Sequence, residues 1–155
     1  MTDIQRTLVI IKPDAVQRGL VGEVVHRFER KGLKLIGLKL FKLSNERATE
    51  LYQPHQGKFF YDYLIEFMTS SPIVAICLGG VNAIDIVRMI NGATKPEEAQ
   101  PGSIRGDFSI DITHNVVHAS DSGENAAREL AILFDPNELN EYQRIDDEIL
   151  YSPEF

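Results

Sequence analysis

The sequence has a single cysteine, no tryptophan and no excess of positive charge. One cysteine cannot form a disulfide within a chain, so the disulfide-rich class of small secreted proteins is excluded. We expect Cys77, inside the apolar run IVAICL, to be a small buried hydrophobic residue. No run approaches the ~18–20 apolar residues of a membrane-spanning helix, and MTDIQRT at the N-terminus contains no apolar signal segment. These absences predict a cytoplasmic protein.

The net charge of −7 argues against a general nucleic-acid-binding role, because sequence-independent affinity for nucleic acid requires a basic surface. It does not exclude small anionic ligands, since a few clustered cations can form a local positive pocket on an acidic protein. The sequence also contains neither a GxxxxGK[ST] loop nor a GxGxxG turn. A nucleotide ligand would therefore be bound without a P-loop or a Rossmann turn.

The length of 155 residues fits one domain, which we expect to span residues 1–155. Apolar periodicity predicts four strands and five helices, with a β-bulge at Gly37, a helix stop at Gly32, a turn at Gly79–Gly80 and a helix cap at Asn82. The predicted strands are 7–12, 33–41, 73–78 and 115–119. The predicted helices are 21–31, 45–52, 61–69, 82–90 and 120–134.

The order of these elements predicts an α/β (α+β) protein with the ferredoxin-like βαββαβ fold, a four-stranded antiparallel sheet covered by helices. We expect the helices on one face of the sheet. In the last long helix the predicted inward residues are Ala127, Leu130, Ala131 and Phe134. The long stretch between Asn91 and Asn115 has no clean period, and its Arg105, Thr94 and two prolines predict a functional loop.

The segment NVVHASDS (115–122) places His118 at a strand end, among small polar residues and shortly before a helix N-terminus. Helix N-termini offer free N–H donors that suit a phosphate, and a neutral imidazole is a good nucleophile near pH 7. His118 could therefore accept a phosphoryl group. The alternative is a hydrogen-bonded structural histidine. A protease-type triad with Asp121 and Ser120 or Ser122 is rejected, because these residues are too close in sequence to converge.

Other residues could support such chemistry. Glu129, two turns into the following helix, would fix the tautomer of His118 if the chain brings them together, or else be a solvated glutamate. Lys12, Arg88 and Arg105 could form a triphosphate clamp, although Arg88 alone is more typical of a solvated helix face. One aromatic of the run 59–61 could stack on a base, with core packing as the alternative.

These residues together make the sequence resemble the nucleoside diphosphate kinase family along nearly its whole length. The resemblance runs from TLVIIKPDAVQRGLVG through GATKPEEAQPGSIRGDF to NVVHASDS. It implies an enzyme that moves the γ-phosphate of ATP or another nucleoside triphosphate to a nucleoside diphosphate. The transfer would follow a ping-pong mechanism through a phosphohistidine on His118 and maintain the pools of nucleoside triphosphates.

The resemblance also implies the roles of individual residues. Asn115 would contact a ribose hydroxyl, while Phe60 and Ile112 would clamp the base. The implied catalytic residues are His118, Glu129, Ser120, Lys12 and Tyr52. The implied nucleotide-binding residues are Lys12, Phe60, Leu64, Arg88, Thr94, Arg105, Ile112 and Asn115. Mg²⁺ would ride on the nucleotide phosphates, with Asp121 near it through water.

Family members form homo-oligomers, usually hexamers, around the loop that here holds Pro96, and the tail 142–155 resembles the longer C-termini of hexameric members. The sequence departs from the family where Ala119 replaces a usual glycine, Phe59 a proline, Leu51 a histidine and Ser103 a threonine. We expect Ala119 to have a negative φ and activity to survive. A non-catalytic nucleotide-binding or scaffold protein on the same fold is the alternative function, and the charge disfavours a nucleic-acid-binding regulator.

Overall fold

A four-stranded antiparallel sheet, with strand order β2-β3-β1-β4, forms the centre of the fold in a computed structural model that describes residues 4–154. The strands are β1 (Gln5–Ile11), β2 (Lys34–Phe41), β3 (Ile73–Gly80) and β4 (Val117–Ala119). This order and pairing confirm the predicted ferredoxin-like arrangement. Residues 1–3 and 155, which the predicted domain and tail include, lie outside the described residues.

Short helices connect the strands. They are α1 (Pro13–Gln17), α2 (Val21–Lys31), α3 (Asn45–Leu51), α4 (Tyr61–Met68), α5 (Ala83–Asn91), α6 (Ile104–Phe108), α7 (Gly123–Leu133) and α8 (Asp147–Leu150). The predicted functional loop is partly ordered into α6 and a 3₁₀ turn at Pro96–Glu98. Between residues 4 and 154 no helix has the length and apolar character that crossing a membrane would require.

Both faces of the sheet are covered. Along β1, Leu8 and Ile10 enter one core and Val9 and Ile11 enter the other. Residues of α3, α4 and α7 complete the first core, and residues of α2 and α5 complete the second. The expectation of helices on one face is therefore wrong. Strand β3 is buried along its whole length, including Cys77, as a strand covered on both faces must be.

The predicted bulge in β2 is confirmed. Its pairing with β3 shifts register between Leu35 and Gly37, which leaves one extra residue on β2. A Cβ atom at Gly37 would lie 3.0 Å from the side chains of both Leu139 and Phe134. The glycine therefore allows the segment after α7 to pack directly on the bulge.

The predicted turn at Gly79–Gly80 is wrong, because both residues continue β3. A Cβ atom at Gly79 would lie 2.6 Å from Ile36 Cδ1, and one at Gly80 would lie 2.8 Å from Leu33 Cδ2. The two glycines thus make room for side chains from the neighbouring β2 region and do not reverse the chain.

The helix ends give one confirmation and one correction. Gly32 ends α2 in the left-handed conformation with φ 110°, as predicted. Asn82 precedes α5 but its side chain makes no capping hydrogen bond, since it adopts φ 57°. The side-chain oxygen of Gln5 instead accepts a hydrogen bond from Ile84 N.

Helix α7 is rotated relative to the prediction. Leu130 and Phe134 are buried as expected, but Ala127 and Ala131 are exposed. The remaining inward residues of α7 are Ala126, Glu129 and Leu133. The core takes the larger Leu133 in preference to an alanine, and this rotation turns Glu129 toward the sheet.

We predict that Asn91→Leu stabilises the protein. Asn91 ends α5 and is 1% exposed, and neither atom of its side-chain amide has a hydrogen-bond partner among residues 4–154. Removing a buried unpaired amide should raise the free energy of unfolding by about 1–3 kcal/mol, measured by urea denaturation.

Asn115→Leu is the matched control. Asn115 is also buried, but its Oδ1 accepts a hydrogen bond of 2.7 Å from Lys12 Nζ. Because Asn115→Leu removes this hydrogen bond, the variant should have a lower free energy of unfolding than the wild type. Destabilisation of both variants to the same degree would contradict the prediction.

Candidate active site

A cleft of about 650 Å³ opens beside His118. Every predicted site residue except Ser120 lines it: Lys12, Tyr52, Phe60, Leu64, Arg88, Thr94, Arg105, Ile112, Asn115, His118, Asp121 and Glu129. A larger cleft of about 870 Å³ next to α2 shares Arg88 and Thr94, but neither an imidazole nor a thiol lines it. The predicted site residues therefore come together in the cleft at His118.

His118 is hydrogen-bonded to a buried carboxylate. Its Nε2 lies 3.1 and 3.2 Å from the two carboxylate oxygens of Glu129, and Ser120 Oγ donates to Glu129 Oε2 at 2.7 Å. Ser120 is buried behind Glu129, which explains why it does not line the cleft. Burial alone would raise the pKa of Glu129, but the hydrogen bonds from His118 and Ser120 lower it below its ordinary value.

An ionised carboxylate can only accept hydrogen bonds, so Glu129 fixes the proton of a neutral His118 on Nε2. The lone pair of Nδ1 is then the one available for attack. The protease-type triad stays excluded, since Ser120 donates to Glu129 and Ser122 caps α7 by accepting from Asn125 N. His118 is thus oriented by an acidic residue from the following helix, and within residues 4–154 the lone pair of Nδ1 is left unpaired toward the cleft.

Strand pairing places Lys12 on the same face of the sheet as His118. His118 pairs with Ile10, and Lys12 lies two residues beyond Ile10. Lys12 Nζ donates to Asn115 Oδ1 at 2.7 Å and to the Thr113 carbonyl at 3.3 Å. Burial, followed by the charge of Arg105, lowers the pKa of Lys12 to about 8. An anion in the cleft would favour the charged form of this lysine.

A strained residue links Asn115 to β4. Val116 has φ 75°, a left-handed conformation that is rare for a β-branched residue. Lys12 N donates to the Val116 carbonyl at 2.9 Å, and Val116 N donates to Asp14 Oδ2 at 3.1 Å. Sequence analysis missed Asp14, whose only signal is a carboxylate directly after the Lys12–Pro13 pair. The segment after β1 thus holds the turn that leads to His118.

Arg105 contributes positive charge to the cleft and also holds the backbone around it through hydrogen bonds. Its three guanidinium nitrogens donate to the carbonyls of Gly92, Asn115 and Val117, at 2.8, 3.3 and 2.6 Å. Burial, followed by the charge of Arg88, lowers the pKa of Arg105 to about 10. The guanidinium has five N–H donors, so it can hold these carbonyls and still face an anion.

Tyr52 packs against His118. Its ring meets the His118 imidazole edge-on, with the centroids 5.8 Å apart. The buried Tyr52 hydroxyl has no hydrogen-bond partner within the described part of the chain. Burial, followed by the charge of Glu129, raises the pKa of Tyr52, so the group is a neutral donor.

The apolar end of the cleft has two sides. Phe60 and Leu64 come from the start of α4, and Ile112 comes from the loop before β4. Phe59, which replaces the usual proline, is 99% exposed and packs edge-on against Phe60 with centroids 5.5 Å apart. This end can accommodate a flat apolar group.

Among the cleft residues that were not predicted from the sequence, two have ionisable side chains. His55 lies between Tyr52 and Phe60, and its Nδ1 is 3.0 Å from Lys58 Nζ. Burial, followed by the charge of Lys58, lowers the pKa of His55. Arg128 donates to two carbonyls at the end of α3, at 3.1 and 3.2 Å. The sequence offers only weak signals for them: His55 lies in a short polar segment, and Arg128 directly precedes Glu129.

The substitutions that depart from the family pattern do not disturb the backbone, the helix cap or the packing at their positions. Ala119 pairs with Val9 in β4 and has a negative φ, as expected. Ser103 keeps a hydroxyl that accepts from Gly106 N at 3.0 Å and caps α6. Leu51 is buried in the core beneath Tyr52.

Asp121 is the exposed carboxylate of the cleft. It accepts a hydrogen bond of 2.6 Å from Asn125 Nδ2, and this bond lowers its pKa. Across residues 4–154, no group of three or more His, Cys, Asp or Glu side chains is arranged to hold a metal ion. A divalent cation here would need most of its ligands from a bound polyphosphate.

Known proteins resemble this chain closely. The nucleoside diphosphate kinase of Fervidobacterium nodosum is 52% identical over 139 residues, which are 90% of this chain and 95% of that protein. The nucleoside diphosphate kinase of Staphylothermus marinus is 55% identical over 135 residues, which are 87% of this chain and 96% of that protein.

Solved structures agree. A halophilic nucleoside diphosphate kinase from Halobacterium salinarum in complex with CDP has a TM-score of 0.94 and 42% identity, covering 97% of this chain and 100% of its own. A transition state mimic of nucleoside-diphosphate kinase from Borrelia burgdorferi, with bound vanadate and ADP, has a TM-score of 0.87 and 39% identity, covering 92% and 94%.

The family model for nucleoside diphosphate kinases matches residues 5–139. The match includes every residue of the cleft described above. The chain belongs to the nucleoside diphosphate kinase family.

Proposed function

We propose that this protein transfers the γ-phosphate of ATP or another nucleoside triphosphate to a nucleoside diphosphate through a phosphohistidine on His118. The observation that carries the proposal is the hydrogen bond between His118 Nε2 and the buried carboxylate of Glu129. A protein that only binds nucleotides has no use for a histidine whose tautomer is fixed in this way. This distinguishes the kinase from a non-catalytic scaffold on the same fold.

The first half-reaction would form a bond between His118 Nδ1 and the γ-phosphorus and break the bond from that phosphorus to the β–γ bridging oxygen. The nucleoside diphosphate leaves with the electron pair of the broken bond. No general base is required, because neutral Nδ1 carries no proton to remove. The positive charge that develops on the imidazole is stabilised by Glu129. A second nucleoside diphosphate then takes the phosphoryl group by the reverse steps.

The cations of the cleft would bind the phosphates. Lys12, Arg88 and Arg105 provide positive charge from three parts of the chain, and the hydroxyls of Thr94 and Tyr52 provide donors. The unpartnered Tyr52 hydroxyl would gain an acceptor when a phosphate binds.

Asp121 would hold Mg²⁺ together with the nucleotide phosphates, directly or through water. Bound Mg²⁺ supplies neutralisation of phosphate charge. The lowered pKa of Asp121 supports this role, because an ionised carboxylate is the ligand that Mg²⁺ prefers.

The nucleoside would occupy the apolar end. Phe60, Leu64 and Ile112 offer faces and no hydrogen-bonding groups to the base, so we expect low selectivity among bases. Asn115 would contact a ribose hydroxyl through its amide. The two related structures are complexes with CDP and with ADP, which supports a nucleotide as ligand.

We further propose that the chain forms a homo-oligomer, and the resemblance to the family favours a hexamer. Strand β2 lies at the edge of the sheet, and its Leu38 and Leu40 are exposed. In the tail, Ile145 and Ile149 are exposed as well. Exposed apolar side chains beside an unpaired strand edge favour burial against a second copy.

The phosphoenzyme gives the first test of the function. Incubation with ATP and Mg²⁺ should give a protein-bound phosphate that is stable in alkali and labile in acid, detected by mass spectrometry. His118→Ala should abolish it, because the nucleophile is lost. His26→Ala is the matched control, since His26 is an exposed histidine on α2 and should label fully. Absence of label from the wild type would favour the scaffold, and labelling that persists in His118→Ala would contradict the role of His118.

The pKa of Lys12 predicts how ADP affinity depends on pH. In the free protein Lys12 loses its charge as pH rises through about 8. A bound phosphate favours the charged form, so the dissociation constant for ADP should increase above pH 8, approaching about tenfold per pH unit for one coupled proton.

Calorimetric titrations with ADP between pH 7 and 9 would measure this dependence. Lys12→Met should bind ADP more weakly and with little pH dependence in that range. Lys42→Met, at an exposed position, should behave as the wild type. The same pH dependence in Lys12→Met would show that another group titrates.

The double substitution Leu38→Glu with Leu40→Glu tests the assembly. Like charges on the β2 edge should repel a second copy and reduce the molar mass measured by light scattering. An unchanged mass would mean that this edge is not an interface.

A further inference from the structure

We infer that the side chains of Tyr63, Phe67 and His114 form a latch that sets the width of the nucleobase slot, which makes His114 a positioning residue for base binding. The inference rests on the proposed function and deepens it. These three side chains are the latch, and the space between Phe60 and Ile112 is the slot.

The latch joins α4 to the loop before β4. The His114 ring stacks on Phe67 with centroids 4.3 Å apart and an interplanar angle of 25°. The Tyr63 hydroxyl and His114 Nε2 share a hydrogen bond of 2.7 Å. The Tyr63 and Phe67 rings are stacked, with centroids 6.4 Å apart. One imidazole is therefore fixed by a ring face and by a directional bond.

On the helix side, the latch and the slot share one surface of α4. Phe60, Tyr63, Leu64 and Phe67 follow the spacing i, i+3, i+4, i+7, which places them on one helix face. Phe60 and Leu64 line the cleft, and Phe67 packs against the core beneath them. His114 thus contacts α4, the helix that also carries one wall of the slot.

On the loop side, His114 is coupled to the other wall. Asp111 Oδ1 accepts hydrogen bonds from Thr113 N at 2.9 Å and from His114 N at 2.8 Å. These bonds close a tight turn around Ile112, so His114 and Ile112 move as one unit. The backbone hydrogen bonds hold the pKa of Asp111 below its ordinary value, which keeps the acceptor ionised.

The consequence is a preformed slot. Ile112 is itself more than half exposed and has little packing of its own to fix its position. With the latch closed, the distance between Ile112 and α4 is set before a nucleotide arrives, so binding a base does not have to order the loop. Without the latch, affinity for the base should fall, whereas the phosphate end, which does not include the latch, should keep its function.

The test compares an acceptor that has a base with one that lacks it. The wild type and the variants His114→Ala and Tyr63→Phe are phosphorylated on His118 with phosphoramidate, which contains no base. Transfer to GDP and to ribose 5-diphosphate is then followed by rapid quench. His114→Ala should lower kcat/KM for GDP about three- to tenfold through KM. The value for ribose 5-diphosphate should change less than about twofold, since it places nothing in the slot.

Tyr63→Phe keeps the stacked ring and removes only the hydrogen bond, so it should show a smaller loss confined to GDP. Two controls match the substitutions. His26→Ala removes an exposed imidazole, and Tyr142→Phe removes a tyrosine hydroxyl that donates to the Leu35 carbonyl far from the slot. Neither control variant should change the ratio of kcat/KM for GDP to kcat/KM for ribose 5-diphosphate.

Equal losses for GDP and ribose 5-diphosphate, or no loss for either, would overturn the latch. A wild type that transfers to neither acceptor would overturn the proposed function instead. In that case calorimetric binding of the same two compounds still decides on the latch, because the predicted difference is one of affinity.

Discussion

The site depends on one buried group, the carboxylate of Glu129, which is 5% exposed. A buried charge is costly unless it is paired, and here His118 and Ser120 supply the pairing hydrogen bonds. Glu129 can be buried only because α7 packs with Leu130 and Leu133 against the sheet. Packing of an ordinary helix therefore determines the tautomer of a neutral His118, and through it which ring nitrogen keeps a free lone pair.

A second constraint orients the chain on the other side of His118. The strained Val116 is held by the backbone N–H of Lys12 and by the carboxylate of Asp14. Lys12 thus acts twice, through its backbone on the turn and through its ammonium on Asn115. Strain of this kind persists only where surrounding bonds over-determine it, and it is typical of functional sites.

Local signals predicted the strands, the Gly37 bulge and the end of α2 at Gly32, since these depend on periodicity and on glycine conformation. The inward face of α7 and the long-range contacts of the site depend on tertiary packing. Ala127 could not be distinguished from Ala126 as the inward residue of α7, because both are small and one position apart. Likewise nothing local shows that Arg105 binds three carbonyls or that Tyr63 meets His114, 51 residues away. The motif NVVHASDS indicated His118 as the proposed nucleophile, but only the fold shows that Glu129 contacts its ring.

The protonation of His118 tests the account most directly. Proton–nitrogen correlation spectra of the ¹⁵N-histidine-labelled protein report which ring nitrogen carries the proton, and the same spectra after phosphorylation report which one carries phosphorus. The account predicts that the neutral ring carries its proton on Nε2 in the free protein, and that phosphorus is on Nδ1 after reaction with ATP. A resting proton on Nδ1, or phosphorus on Nε2, would contradict it.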